Sequence, residues 1–279
     1  VNISYSSFKT YKECPRQFHL KSRKVPTAPE NKINALFGSL VGVVFEEFYV
    51  RKAWEEVNPP KVLRDIYRNT LKRVCLSYNR SGRDFLDFSD PSSNYKGFAP
   101  LEKDVIKALE NGWSTIQNND LIGPDAAAEV VLDATDPITS FKMVGRADFV
   151  VTSRTHGRII LDGKGSRHHT KYLDPDQLYW YAYQHYLKEG EYPAKVGFLN
   201  WRYIGEKGIS WVPLNPEVIS TFLEKWENVA RRVNKDMFPA RPEQNRCRFC
   251  PYQNAEHCQE GVSLMGMGSF RVDNWEDHG

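Results

Sequence analysis

The chain has 279 residues, enough to bury a full core in one large domain or two small ones. A hydrophobic fraction of 41% and a charged fraction of 26% are those of a soluble globular protein, and nothing resembles a transmembrane span: the longest apolar stretch, residues 40–45, is interrupted by Gly42 and runs into Glu46 and Glu47. The net charge of +3 and pI near 8.5 permit a polyanionic partner without requiring one. The N-terminus lacks a basic-then-apolar signal pattern, so a cytoplasmic setting is expected, or a host cytoplasm for a viral protein. In such a reducing compartment the five cysteines read as ligands or thiols before disulfides.

Residues 6–21 predict a helix with Ser4, Ser6 or Ser7 as its N-cap and Phe8, Tyr11 and Phe18 as its apolar stripe; Cys14-Pro15 should kink or restart it. A longer helix follows over residues 35–54. On one of its faces Gly38, Gly42, Glu46 and Tyr49 recur at three- and four-residue steps, as a floor for an approaching ligand or as a helix-packing groove beside a solvated Glu. Residues 55–125 read as a helical insertion, with helices over 62–78 and 101–117 separated by a polar stretch, 80–97, that reads as a mobile loop. Arg64, Arg68, Lys72 and Arg73 make one side of the first of these helices basic, as a solvated face or a nucleic-acid groove.

From Ala126 the pattern changes to strands, over 127–133, 140–152 and 158–163. Asp174 and Pro175 then open a helix to about residue 188, on which Gln177 and Tyr181 share a face. Strands over 196–203 and 208–212 and a helix over 215–233 complete an α/β core, a mixed sheet flanked by helices. The tail from Gly261 has few strong hydrophobes and should wrap or fray.

The chemistry concentrates in one hairpin. Phe149, Val150 and Val151 and then Ile159, Ile160 and Leu161 favour a pleated surface, while Thr155, His156 and Gly157 favour reversal. Such a hairpin brings Asp148 and Asp162 to one site. Two adjacent carboxylates are costly to keep ionised unless a cation sits between them, and Lys164 points to the same strand face as Asp162. A divalent ion beside a cationic amine suits phosphodiester hydrolysis. Glu129, on the preceding strand, reads equally as an outer or second-metal carboxylate and as a strand-edge charge.

The ordered set of Glu129, Gly145-x-x-Asp148, Asp162-Gly163-Lys164 and Gln177-x-x-x-Tyr181 resembles the PD-(D/E)XK nuclease superfamily, in particular its RecB-like, Cas4-like and AddB-like branch. The resemblance covers most of residues 1–50 and 126–260, and implies a single restriction-endonuclease-like domain over 1–279 that carries the 55–125 insertion. It implies that Asp148, Asp162 and the carbonyl of Gly163 bind Mg²⁺ or Mn²⁺. Lys164 would orient water or meet charge on phosphate, and Gln177 and Tyr181 would support the site and contact the DNA backbone. The implied activity is DNA cleavage, as an exonuclease on single-stranded or end-exposed DNA, in recombination, repair or CRISPR adaptation, alone or within a complex. One departure matters: the early helix of this branch carries a histidine where this chain has Gly42. Glu46, one turn further on, offers an oxygen in its place, with Glu47 less well placed. The departure leaves open a DNA-binding or assembly module without turnover.

Cys247-x-x-Cys250, Cys258 and the distant Cys14 form the second constellation. Four thiolates suit Zn²⁺ as a ribbon. By resemblance, Cys14 in Cys-Pro-x-x-Phe with three C-terminal cysteines looks like the [4Fe–4S] clasp of Cas4-like and AddB-like nucleases, joining residues 245–262 to Cys14. The seven residues between Cys250 and Cys258 keep His257 as an alternative ligand. Cys75 reads as a small buried hydrophobe. Lys164, Arg167, His168, His169 and Lys171 form a weaker basic group suited to phosphate or solvent, and Trp180, Tyr181 and Tyr183 read as base-stacking or core aromatics.

Overall fold

The computed structural model describes residues 2–273 apart from 81–83, 169, 171, 172 and 255. In chain order β1 (Asn2–Ser4), α1 (Tyr5–Glu13), α2 (Pro15–Ser22), β2 (Glu30–Asn31), α3 (Ile33–Val50), α4 (Pro59–Arg80), β3 (Asp84–Phe85) and α5 (Phe98–Asn118) form the first part. Then come β4 (Ala127–Val131), β5 (Ala134–Thr135), β6 (Lys142–Val144), β7 (Arg146–Ser153), β8 (Gly157–Lys164), α6 (Pro175–Glu189), β9 (Lys195–Asn200), β10 (Ile209–Val212), α7 (Pro216–Asn234), α8 (Gln244–Cys247) and α9 (Gln259–Asp273). The chain forms two compact units, one from Val1–Ala28, Asp136–Met143 and Leu223–Gly279 and the other from Pro29–Thr135 and Val144–Phe222.

The larger unit is built on a mixed sheet in the order β10-β9-β8-β7-β4. β8 and β9 run parallel, and the other neighbours pair antiparallel. The 3.6-residue spacing of Leu36, Phe37, Leu40, Val41, Val44, Phe45 and Phe48 gives α3 a broad face that is fully buried. It packs in one cluster with Phe149, Val151, Ile159 and Leu161 of the hairpin and with Leu63, Ile66, Leu101, Val105 and Leu109 of α4 and α5. Each such side chain contributes about 1.5–3 kcal/mol on burial. α3 is long and apolar enough to cross a membrane, but its apolar face is the centre of this core.

Two local readings change. Residues 84–97, expected as a mobile loop, are pinned to the start of α3: β3 pairs in parallel with β2, and Asn31 bonds the backbone of Asp87 and the carboxylate of Asp90. Asn34 bonds the backbone of Ser92 and Asn94. The stretch is polar because its side chains satisfy its own turns. The single strand expected over 140–152 is two, β6 and β7, and Gly145 between them sits against the Gln184 side chain. The basic side of α4 is spent on ion pairs, Arg64 with Glu110, Arg68 with Asp65 and Arg73 with Glu47, at exposed positions where such pairs contribute little.

The smaller unit carries the chain's two end regions. Ser4 caps α1 through the Ser7 amide, and Pro15 begins α2 after a one-residue break at Cys14, the restart expected from the sequence. Phe8 and Phe141 meet Trp226 edge-on, and the Trp226 indole donates to buried Asp136 at 2.8 Å. Tyr11 donates to the Met237 carbonyl at 2.6 Å, and Arg246 and Arg241 donate to the carbonyls of Glu13 and Lys12. The tail does not fray from Gly261: α9 continues to Asp273.

Candidate active site

The hairpin ladder pairs Phe149 with Leu161 and stops there. One step further, the Asp148 carboxylate takes the Gly163 amide at 2.7 Å, so the side chain replaces a ladder bond and is fixed beside Asp162. Phe149 and Leu161 face α3; by strand alternation Asp162 and Lys164 face the opposite side, where α6 lies against β8 and β9, while Asp148, at the end of the ladder, also reaches a cleft beside α3. Gln177 reaches in from the first turn of α6, which the Asp174 carboxylate caps by accepting from the Asp176 amide.

Gln177 organises the network. Its Nε2 donates to Asp162 Oδ1 at 2.6 Å and to the Tyr181 hydroxyl at 3.2 Å, while its Oε1 accepts from Lys164 Nζ at 2.9 Å. Asp162 is 3% exposed, and its Oδ2 makes no regular hydrogen bond; the Lys164 ammonium stands 2.5 Å away as its ion-pair partner. The ammonium also lies over the Phe198 ring. One amide thus fixes the rotamers of a carboxylate, an amine and a phenol.

Burial pushes the Asp148 carboxyl up to about 7, with Asp162 and Glu129 adding to the shift against the Gly163 amide and Lys164. Burial also raises Asp162, outweighing Lys164. Tyr181 is raised, mostly by burial, and Glu46 is raised by burial and then by Glu129. Asp148, Asp162 and Glu46 therefore all sense Glu129, and Asp148 senses Asp162 as well, an arrangement that a divalent cation relieves.

Glu129 lies opposite Asp148 by register, between the pairs Ala128–Phe149 and Val130–Ala147, but it breaks the ladder with φ +55°, which a side chain bearing a Cβ adopts at a cost. It pairs with Arg146 at 3.0 Å. Glu129, Asp148, Gly163, Gly42 and Glu46 line one cleft of about 310 Å³. A Cβ at Gly38 or Gly42 would meet no atom within 4 Å, so the position that carries an imidazole in the resembling branch opens onto this cleft. Among the described residues no three carboxylate, Cys or His side chains converge on a single metal position. The carboxylates repel, and the Lys164 ammonium is the cation that faces Asp162.

Gly163 has a reason that sequence reasoning missed. A Cβ there would lie 2.7 Å from the Trp201 indole, which stacks on Phe45 with ring centres 4.4 Å apart. The glycine admits a tryptophan that stiffens the site; the only signal for it was a large aromatic just after a strand.

Cys14, Cys247, Cys250 and Cys258 line a single small cavity in the smaller unit, and the Cys247 and Cys258 sulfurs both flank Gly261. Among the described residues no three of these sulfurs converge on one metal position, so the geometry goes as far as a shared cavity. Burial pushes the Cys250 and Cys258 thiols up. His257 does not line this cavity and meets the edge of Tyr252. Cys75 packs against the core of the larger unit. Of the basic group, His169 and Lys171 lie outside the described residues. Trp180, Tyr181 and Tyr183 are buried.

The sequence model of the PD-(D/E)XK nuclease superfamily matches residues 2–258. No curated protein matches the chain. A solved structure titled "Crystal structure of SSO0001" is similar at 14% identity and a TM-score of 0.39, over 92% of this chain and 86% of that one. The family match spans both the carboxylate hairpin and the cysteine cavity, and the mixed α/β architecture is that of restriction-endonuclease-like folds: the chain belongs to the PD-(D/E)XK nuclease superfamily.

Proposed function

We propose that the protein is a divalent-metal-dependent deoxyribonuclease acting as an exonuclease on single-stranded or end-exposed DNA, in recombination, repair or CRISPR-adaptation-type processing. The observation that carries this reading is the buried Asp148–Asp162 pair beside an amine that Gln177 holds in place. Nucleases of this superfamily typically use Mg²⁺ or Mn²⁺, and the donor set is hard oxygen, which suits either ion. Asp148, Asp162 and the Gly163 carbonyl would hold it, with Glu129 and Glu46 at the cleft wall as further oxygens. When bound, the ion supplies a lowered pKa for water and neutralisation of phosphoryl charge.

The chain's own residues do the rest. The Lys164 ammonium, fixed between Asp162 and the Gln177 carbonyl, is aimed to orient the attacking water or to meet negative charge as it develops on phosphorus. Gln177 costs no reorganisation during reaction because its three contacts already exist. Tyr181 backs Gln177 on the same helix face.

For the cysteines we propose a [4Fe–4S] cluster with a structural role, joining residues 245–262 to Cys14. Four thiols lining one cavity support that donor set; Zn²⁺ is the alternative. A second reading of the whole protein, a DNA-binding or assembly module without turnover, is favoured by Gly42, which contributes no imidazole. The test is degradation of end-labelled single- and double-stranded DNA by anaerobically purified protein with Mg²⁺, Mn²⁺ or EDTA. Metal-dependent shortening from the ends supports the nuclease. Binding without cleavage in either metal supports the module.

A further inference from the structure

Three clefts in the larger unit join end to end along the open face of α3. The central one is the carboxylate cleft. It shares Val43 and Glu46 with a cleft of about 410 Å³ toward Val50, and Gly38 and Gly165 with a cleft of about 450 Å³ toward Asn34. From Asn34 to Val50 the helix spans about 24 Å. Each cleft has the volume of a small-molecule site. The groove is floored by Gly38 and Gly42, at which a Cβ would meet nothing.

The two ends differ in charge. Toward Val50 lie Glu46 and Glu47, the latter paired with Arg51 and Arg73. Toward Asn34 stands a built guanidinium pair. Arg202 is fully engaged: it donates to the Gly165 carbonyl at 2.8 Å, to Asp104 at 2.9 Å and to the Tyr95 hydroxyl at 2.7 Å, and lies 3.5 Å from the centre of the Phe37 ring. It therefore neutralises Asp104. Arg167 has only a 3.7 Å approach to that same carboxylate, lies over the Tyr95 ring, and is 51% exposed on the cleft wall. Its backbone is held by the Tyr203 hydroxyl, which donates to the Arg167 carbonyl at 2.7 Å. Among the described residues of this cleft the Arg167 charge is left over, on a held backbone and next to the carboxylate cleft.

We infer that a single nucleic-acid strand lies along the α3 groove across the carboxylates, with the phosphate next to the scissile one anchored by Arg167 and with Arg202 as the residue that positions it. This rests on the nuclease reading for the location of the scissile phosphate. The single strand also comes from that reading; three small clefts in series along one helix offer a path for one phosphate backbone.

The test is binding of a fluorescein-labelled oligothymidylate by full-length protein carrying Lys164→Ala, in Mg²⁺, read by anisotropy over a range of salt. Arg167→Gln should weaken binding several-fold and reduce the salt slope by about 0.7, the value for one single-strand phosphate contact. Gly38→Leu, which favours the helix and fills the junction of two clefts, should weaken binding while the protein stays folded by circular dichroism. A matched duplex should compete poorly. Unchanged affinity and slope in Arg167→Gln, or a duplex that competes as well as the strand, would overturn the inference. Because binding is read without turnover, the two readings fail separately. A wild-type protein that never cuts DNA, but whose binding depends on Arg167 and Gly38, removes the nuclease and leaves the groove. A protein that cuts DNA, and whose binding ignores both residues, does the reverse.

Discussion

The carboxylate site and the cysteine cavity make opposite uses of buried polar groups. At the first, Gln177 bonds Asp162, Lys164 and Tyr181, and the Gly163 amide fixes Asp148, so the chain's own hydrogen bonds hold the geometry. At the second, four thiols share a cavity wall, and the chain around them is fastened elsewhere, by Tyr11, Arg241 and Arg246 donating to backbone carbonyls. A hydrogen-bonded site is preorganised by its own second layer of contacts, whereas a thiol site is assembled by what it binds. The first should therefore survive loss of its ion, and the second should not.

The largest effect that separates them is on turnover. Asp162→Asn or Lys164→Ala should reduce DNA cleavage by about 10²–10⁴-fold, the range for loss of a positioned catalytic group, with an unchanged circular dichroism spectrum. Full activity in either variant would break the carboxylate half of the comparison. Next is the cysteine cavity. Cys250→Ser should abolish thiolate-bound iron and the broad absorbance near about 400 nm expected of a cluster. It should also lower unfolding free energy by about 4 kcal/mol, the linkage for a group held at a thousand times its Kd. Colourless wild-type protein with stoichiometric zinc would replace the iron and leave the linkage.

The third effect is pH-dependent. Asp148 has a folded-state pKa raised to about 7, so the folded state binds the extra proton and stability falls as pH rises from the ordinary carboxylate range through about 7. Without metal, Asp148→Asn should melt higher than wild type at pH 8 and equally with it at pH 4. Mg²⁺ at a hundred times its Kd should restore about 2.7 kcal/mol to wild type at pH 8 and nothing to the variant that cannot bind it. Smaller again is Gly163→Ala, in which a Cβ would press on Trp201 and cost about 1–3 kcal/mol, read in a denaturant melt. Smallest in stability is Gly42→His. With open space at its Cβ it should fold as wild type and shift metal preference from Mg²⁺ toward Mn²⁺.

Much of this site can be read from one dimension because its parts are local. Alternation in two short strands and a three-residue turn are enough to place Asp148 beside Asp162, and Asp174-Pro175 begins α6 so that Gln177 and Tyr181 share a face. Cys14-Pro15 marks a helix restart by steric rule. What escaped reading depends on partners remote in sequence. Gly163 looks permissive until Trp201 stands over it, and Gly145 looks like part of a strand until Gln184 meets it. Residues 84–97 carry the composition of a free loop, yet the side chains of Asn31 and Asn34 bond their backbone and the Asp90 carboxylate. The positive φ of Glu129 and the Arg202 cradle have no local signature at all.

The central claim is that Asp148 and Asp162 share a divalent cation, and calorimetric titration of metal-free protein with Mn²⁺ at pH 6 and pH 8 tests it most directly. The account predicts saturable binding that is abolished by Asp162→Asn, with net proton release at pH 6, where Asp148 is largely protonated, and little at pH 8. Binding that is unchanged in Asp162→Asn, or absent from wild-type protein at both pH values, would contradict it.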